Sequence, residues 1–594
     1  VNTLDSTTTA PPALLASPAD FDRIREAANH PGLLRDLAAF VRHLADHELN
    51  EPVVTRDIQG RRLLHVSRRL LRRVINCGLA YQLDRDPRHA RRVMLDLQAA
   101  AAFSDWNPSH FLDVAEMCAA FALGLDWLGD AFTPDERRTI EDALIRLGLE
   151  PGLADPSAWY FSATNNWNAV CNGGLAMGAI TVRHRRPDLA QALIARCIEQ
   201  LPLHGENYAP EGAYTEGPMY WDYGTTFHVL AIESLLRATG STHGLDVLPG
   251  FRQSADYMVH VIGPTGEFYS YFDSGPSRLP LTALLWFGRH YNIPRFTRAE
   301  ADNLRQILAA PTGSALGANS RYIALSLLWL KPEHFADAAP PKALAWSGAG
   351  PNPVAFWRSA WTPDATWVGA KGGKARVSPG HLDAGSFVFE AGGVRWAVDP
   401  GSEDYHRLES MGIDLWARDR WSIFRLGSEG HSIPRIDGVT PDPDGRCPRI
   451  HWTDTPAPRV SFDLGALYPG VVDRLHRTIS DGAGGRTCWL DEVGGLAAGR
   501  IYRFTWITIA DVIIGDRCVL LAQNGRQLRI DVDCNQAVTI GVIDPSTLLK
   551  PHDTPIPGLK RIEFALMAPG VDFTLQLTAR LAPSPSFPLP CPTF

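Results

Sequence analysis

Apolar side chains recur at intervals of three and four from about Ser17 to Leu330, and beyond Pro353 the interval falls to two. The first spacing is that of helices with one buried face, the second that of strands with one buried side. Ala90-Arg-Arg-Val-Met-Leu-Asp-Leu-Gln-Ala and Glu116-Met-Cys-Ala-Ala-Phe-Ala-Leu-Gly-Leu carry the helical spacing, and Ser17-Pro18 reads as an N-cap followed by a first-turn proline. Roughly a dozen such segments are joined by short turns of Pro, Gly or Asp, which predicts paired antiparallel helices in a solenoid or a closed ring. No repeat of fixed period is evident, and this favours the ring. Ala336 to Pro353 is rich in Ala, Pro and Gly, as a linker would be. After it, Ala365-Thr-Trp-Val-Gly-Ala, Ile501-Tyr-Arg-Phe-Thr-Trp-Ile-Thr-Ile and Phe573-Thr-Leu-Gln-Leu predict strands separated by Gly, Asp and Pro turns. The expected architecture is a multidomain α+β chain, with a tail over 1–16, a helical ring over 17–340 and an antiparallel β-sandwich over 341–594.

In the strand-forming half, Lys371-Gly-Gly-Lys374-Ala-Arg376-Val-Ser-Pro-Gly-His381-Leu-Asp383-Ala-Gly-Ser-Phe brings cations, a histidine and an aspartate close together. It reads as a cationic, metal-capable wall for an acidic ligand. A hairpin follows. With Gly392-Gly393 as its turn, Ala391 faces Val394, Glu390 faces Arg395, Phe389 faces Trp396 and Phe387 faces Val398. This register puts Phe387, Phe389, Trp396 and Val398 on one apolar face and a Glu-Arg pair on the other. It also carries Asp399 to the end of the hairpin where His381 enters. His431, in Glu429-Gly-His431-Ser, offers a third ligand, and two imidazoles with one carboxylate suit zinc completed by water. Hydrogen-bonded structural histidines are the alternative.

Composition narrows the partners. The 594 residues are 45% hydrophobic and 21% charged with a formal net charge of -8, which speaks against a broad nucleic-acid or membrane surface. No apolar run approaches the ~20 residues of a membrane span. The nine scattered cysteines form no CxxC pair and are expected to be reduced and buried. No signal peptide is visible at the N-terminus, which leaves periplasm and cytoplasm of a bacterium both open. The oligomeric state is not legible.

The helical half has dense polar motifs of its own. Asn165-Asn166-Trp167-Asn168-Ala-Val-Cys-Asn172-Gly-Gly-Leu-Ala-Met-Gly leads from amides into a helix with three glycines, each costing about 1 kcal/mol relative to alanine, so close helix approach is expected. Amides and N-H groups at its start favour anions; caps and core packing are the alternative. Glu211-Gly-Ala-Tyr214-Thr-Glu216-Gly-Pro-Met-Tyr220-Trp221-Asp222-Tyr223 clusters aromatic and acidic side chains, as a sugar cleft or a packed loop would.

These two helical motifs, followed by Lys371-Gly-Gly and His381-Leu-Asp-Ala-Gly-Ser-Phe, resemble the heparinase II/III-type polysaccharide lyases and the related alginate and glycosaminoglycan lyases, in the same order over most of the chain. The resemblance implies an N-terminal incomplete (α/α) toroid, a C-terminal antiparallel β-sandwich with the cleft between them, and β-elimination at the uronic acid of an acidic polysaccharide. By resemblance Asn166 neutralises the uronate carboxylate and Tyr220 is the catalytic tyrosine. A phenol of ordinary pKa near 10 must fall by about 3 units, or about 4 kcal/mol, to be half ionised at neutral pH. Trp167, Tyr223 and His110 are expected at the sugar site, with Lys374 and Arg376 gripping carboxylate or sulfate groups. His381, Asp399 and His431 match zinc-ligand positions, implying a divalent ion with a bracing role.

The chain departs from the family at Pro379, where related lyases commonly carry a proton-transferring histidine two residues before the His-Leu-Asp histidine. Tyr220 is then expected to serve as both base and acid, with His110 or Tyr223 as substitutes. Two other readings are an inverting glycoside hydrolase, using Glu211, Glu216 or Asp222, and a catalytically inactive polysaccharide-binding protein.

Overall fold

In the computed structural model, which describes residues 13–310, 320–335, 341–415 and 417–583, Ser17 and Asp20 cap the first helix reciprocally. The chain divides into two units, residues 1–207, 220–255 and 279–340 in one and 208–219, 256–278 and 341–594 in the other. Two stretches inside the expected ring thus cluster with the sheets. Gly263, Pro264 and Gly266 break the helical period there, and Ile262 and Glu267 pair as bridges with Phe268 and Ser277. The expected tail ends earlier than predicted, since Leu14, Leu15 and Ala16 are buried and Asp126 accepts the N-H groups of Ala13 and Leu14. Residues 1–12, the linker residues 336–340 and Cys591 lie outside the described part. The other eight cysteines are free and, Cys488 apart, buried.

The helical unit runs through α1 (Pro18–Ala28), α2 (Leu33–Glu48), α3 (Leu64–Asp84), α4 (Pro87–Ala101), α5 (Leu112–Leu128), α6 (Pro134–Ala143), α7 (Glu150–Ala154), α8 (Asn166–Thr181), α9 (Pro187–Gln200) and α10 (Pro218–Thr239). Four of these helices, α3, α5, α8 and α10, point the same way. Arg68, Val74 and Gly78 of α3 meet Glu116, Gly124 and Trp127 of α5 in that order, so the two are parallel. The C-terminal residues Asp126 of α5, Thr181 of α8 and Arg237 of α10 line one cavity, so these helices share that direction. α8 lies between two neighbours at glycine distance: a Cβ on Gly173 would stand 2.9 Å from the Phe227 carbonyl oxygen of α10, and one on Gly174 would stand 2.3 Å from the Ala115 carbonyl oxygen of α5. The expected close approach is therefore real. Among the described residues no helix is long and apolar enough to cross a membrane.

The other unit holds three antiparallel sheets. Strands β1 (Ala345–Gly348), β2 (Val354–Arg358), β3 (Trp367–Lys371), β4 (Phe387–Ala391) and β5 (Val394–Ala397) pair in chain order. β1 falls within the predicted linker. Next come β6 (Pro434–Ile436), β7 (Arg449–Thr453), β8 (Arg459–Asp463), β9 (Arg474–Gly482), β10 (Arg486–Gly494), β11 (Ile501–Thr508) and β12 (Asp511–Ile514). They are followed by β13 (Cys518–Gln523), β14 (Arg526–Asp533), β15 (Thr539–Ile543), β16 (Lys560–Met567) and β17 (Phe573–Leu581). The larger sheet is ordered β12-β13-β14-β17-β10-β9-β8-β7 and the third β15-β16-β11-β6. All three bury a common core in which Phe387 of β4, Trp489 of β10 and Trp506 of β11 stand with ring centroids 4.9 to 5.1 Å apart.

The β4–β5 hairpin corrects the predicted register. Ala391 faces Val394 and Glu390 faces Arg395 as expected, but Phe389 faces Ala397 and not Trp396, because the register shifts by one residue after Glu390. Such a bulge places an extra residue on the same ladder and lets Trp396 join Phe387 and Phe389 in the core.

Close approach at α8 predicts a strong substitution effect. Gly174→Ala is expected to lower the unfolding free energy by about 1–3 kcal/mol or more, read from denaturant midpoints. Gly541→Ala, where an added Cβ meets nothing within 4 Å, serves as the neutral control. Equal midpoints for the two variants would contradict the packing described.

Candidate active site and metal cluster

The parallel direction of α3, α5, α8 and α10 brings their first turns to one end of the helical unit, where the helix dipoles favour anions. Asn165 caps α8, its side chain accepting from the Trp167 N-H at 3.1 Å, which leaves Asn166 as the first helical residue, buried at 4% exposure. Trp167 is half-buried and meets the His110 ring edge-on at 5.0 Å and the Trp159 ring at 5.0 Å. His110 donates from Nδ1 to Asp113 at 3.0 Å, and Asp113 is fixed in turn by Leu63 N-H at 2.7 Å and Asn107 at 2.6 Å. Tyr220 sits in the first turn of α10 and is half-exposed. Asn166, Trp167, His110 and Tyr220 thus all occupy this end of the unit.

Their polar neighbours in the motifs turn out to be structural. Asn168 donates to the carbonyls of Phe161, Ala163 and Gln200, and Asn172 to Phe161 and Asn168. Trp221 is fully buried and donates to Ser254 at 2.9 Å. Tyr223, expected to touch sugar, is 6% exposed, and its hydroxyl donates to Glu116 at 2.7 Å. Burial drives its pKa well above the ordinary value. Glu211 accepts from the Ala349 N-H and from Arg449, and Glu216 is buried and accepts from Tyr214. Asp222 differs: burial pushes its carboxyl up to about 7, against the pull of Arg321 and with the push of Glu300. Sequence reasoning missed Trp159, an aromatic that is 56% exposed beside Trp167. A tryptophan with no apolar period around it was the available signal.

In the sheet unit, Asp383, Asp399 and His431 each present a ligand atom within 4.8 Å of the others. The expected set had His381 in place of Asp383. His381 instead places Nε2 3.0 Å from Asp273, and its pKa is lowered chiefly by burial, against the pull of that carboxylate. His431 donates from Nε2 to the Arg425 carbonyl at 2.9 Å, which turns Nδ1 to Asp399 at 3.2 Å. Burial alone would lower its pKa, but the Asp399 charge outweighs it and raises it. An acceptor nitrogen facing a carboxylate calls for a proton or a metal between them. Two further observations fit a cation: Asp383 Oδ2 and His381 Nδ1 are buried without a hydrogen-bond partner. Lys371 pairs with Asp383, and Arg420 lies 4.0 Å from Asp273. Tyr405 also donates to Asp273, a contact no sequence spacing indicated.

Lys374 and Arg376 lie at 3.6 and 2.9 Å from the same carboxylate, exposed Asp444. Pro379 is buried, and its carbonyl accepts from Arg420 at 2.9 Å, so the position of the missing histidine is filled by packing.

Among solved structures, a heparinase III superimposes with a TM-score of 0.58 at 12% identity, over 91% of this chain and 84% of that one. A heparan sulfate lyase from Pedobacter heparinus gives 0.57 at 15% identity over 97% and 87%. A chondroitin AC lyase from Streptomyces coelicolor A3, in complex with chondroitin sulphate, gives 0.50 at 12% identity over 94% and 83%. The chain shares their fold, an N-terminal helical region followed by antiparallel sheets. No family model and no curated protein matches the sequence.

Two outcomes follow from this geometry. After chelation and equilibrium dialysis against zinc, the protein is expected to retain about one ion per chain, and Asp383→Asn and His431→Ala to retain none; a wild type that takes up no zinc would sink the cluster. Asp222 has its folded pKa near 7, raised above the ordinary 3.8, so its stabilising contribution is complete below that lower value and is lost as pH climbs through 7. Asp222→Asn should therefore gain on the wild type between these limits by up to about 4 kcal/mol in unfolding free energy; superimposable pH–stability curves would refute the shift.

Proposed function

We propose that this chain is a polysaccharide lyase that cleaves a uronate-containing acidic polysaccharide, a glycosaminoglycan or alginate, by β-elimination. The observation that carries this reading is the placement of Asn166 and Tyr220 on the first turns of parallel helices, in a fold whose solved examples include heparan sulfate and chondroitin lyases. The chemistry needs an amide or cation on the uronate carboxylate, a base for the C5 proton and an acid for the leaving oxygen. Asn166, buried among helix N-termini, supplies the amide. Tyr220, as phenolate, takes the proton; the C5–H electrons form the C4=C5 bond, and the C4–O pair leaves with the glycosidic oxygen. The phenol then returns its proton to that oxygen, so one residue serves both steps in a chain that carries proline at 379.

Asp383, Asp399 and His431 are the residues that would hold a divalent ion, with His381 beside them. Bound there, the ion would supply charge neutralisation and cross-linking of loops within the sheet unit.

One observation favours a second reading. A carboxyl held near 7, as in Asp222, suits the general acid of an inverting hydrolase. The products separate the two: a lyase yields an unsaturated uronate absorbing in the near ultraviolet, a hydrolase yields reducing ends without it.

Incubation with alginate, hyaluronan, chondroitin and heparan-type chains is expected to give the absorbing product from at least one. Tyr220→Phe should lower kcat by 10³-fold or more, on the order of 4 kcal/mol, while leaving chain binding intact. Full turnover in that variant would refute the tyrosine mechanism.

A further inference from the structure

Arg68 of α3 and Arg321 stand over the ring of Tyr223, their guanidinium carbons 4.9 and 5.0 Å from its centroid. Both reach for Glu116 of α5: Arg68 Nε is 3.1 Å from Oε1, and Arg321 Nε is 3.8 Å from Oε2. The Glu116 side chain is fully buried, whereas those of Arg68 and Arg321 are 36% and 18% exposed. Among the described residues, Glu116 is the carboxylate within ion-pair distance of either arginine, and the two arginines share it. Asp222, next along α10, is itself buried at 8% exposure, and among the described residues it makes no ion pair with either arginine.

The hydrogen bonding around the ring is incomplete as well. Tyr223 has already given its hydroxyl to Glu116, and Arg321 gives Nη2 to the Tyr322 hydroxyl at 2.8 Å. Arg321 Nε and Glu116 Oε2 are buried with no hydrogen-bond partner. Two guanidiniums flanking one ring repel each other, and one carboxylate leaves a surplus positive charge at a partly open position. An oxyanion removes the repulsion and accepts the spare N-H groups in the planar, two-pronged geometry that arginine favours.

The position matters because Tyr223 lies one turn beyond Tyr220 on α10, and residues three apart share a helix face. We propose that Arg68 and Arg321 form a clamp for an oxyanion, carboxylate or sulfate, carried by the sugar chain beside the bond at Tyr220. Neither residue was legible as a site in the sequence. The proposal rests on the polysaccharide reading and gives it a determinant for acidic chains in the helical unit. Arg68 and Arg321 are positioning residues: they hold the chain, and no proton passes through them.

The test measures binding of an unsulfated hexuronate tetrasaccharide and of a chondroitin sulfate tetrasaccharide by calorimetry, with the Tyr220→Phe background preventing turnover. Arg68→Gln and Arg321→Gln are each expected to weaken binding about tenfold or more and to flatten its salt dependence, with Arg68→Lys intermediate. Loss with the sulfated chain alone assigns the clamp to sulfate, and loss with both assigns it to carboxylate. If the parent protein binds neither chain nor any other acidic polysaccharide, the lyase reading itself fails. If it binds and both Gln variants stay within twofold of it, the clamp is overturned. Should a Gln variant not fold, phenylglyoxal labelling of the unmutated chain replaces it: saturating tetrasaccharide is expected to protect Arg68 and Arg321, and undiminished labelling overturns the proposal.

Discussion

The helical unit depends on how closely α8 can approach its neighbours. Gly173 and Gly174 are adjacent in sequence and so point to different sides of the helix, one against α10 and the other against α5. Any side chain at either position would push one neighbour away, and with it the first turn of α10 that carries Tyr220 or the start of α5 that His110 precedes. The glycines cost helix propensity, and the return is a set of parallel helices whose polar ends meet. Asn166, Trp167 and the Glu116–Tyr223 pair take their places from that alignment.

In the sheet unit a buried ion pair plays the comparable part. Arg477 and Asp491, both fully buried on neighbouring strands, are joined by two hydrogen bonds of 2.7 Å, and Tyr502 adds a third contact to Asp491 at 2.6 Å. The remaining arginine nitrogen donates to the carbonyls of Gly385 and Ser432. These two residues lie beside Asp383 and His431, so one guanidinium fixes both of those loops. A buried pair of this kind is weak evidence for stability and better evidence for a unique arrangement.

The expectations failed where a contact was non-local. The Gly392-Gly393 turn and its first two cross-strand pairs follow from local rules, but the bulge between the Glu390 and Phe389 pairs accompanies contacts from distant strands: Trp396 joins the common core, and its carbonyl accepts from Trp506 of β11. Glycine and proline near 263 interrupt a helical pattern that hydrophobic periodicity alone extended through them. His381 was read as a ligand because it lies a hairpin's length from Asp399, and Asp273, the residue that takes its ring nitrogen, lies far away in the chain. Arg68 and Arg321 carry no local pattern for the same reason: their shared partner Glu116 lies far from both in the chain.

By itself the sequence determined which parts would be helix and which strand, where the first helix is capped, and which residue types, amide, phenol, imidazole and carboxylate, the chain has for acidic-sugar chemistry. Those properties are set by neighbours within a turn or along a strand, and such neighbours are visible in a linear pattern. The tertiary structure alone decided which of those polar groups are used up. Asn168, Asn172 and Tyr223 have partners that packing brings from other elements, while Asp383 and Arg321 hold polar atoms without one. Whether a buried polar atom is satisfied depends on what folding places within about 3 Å of it, and no spacing along the chain records that.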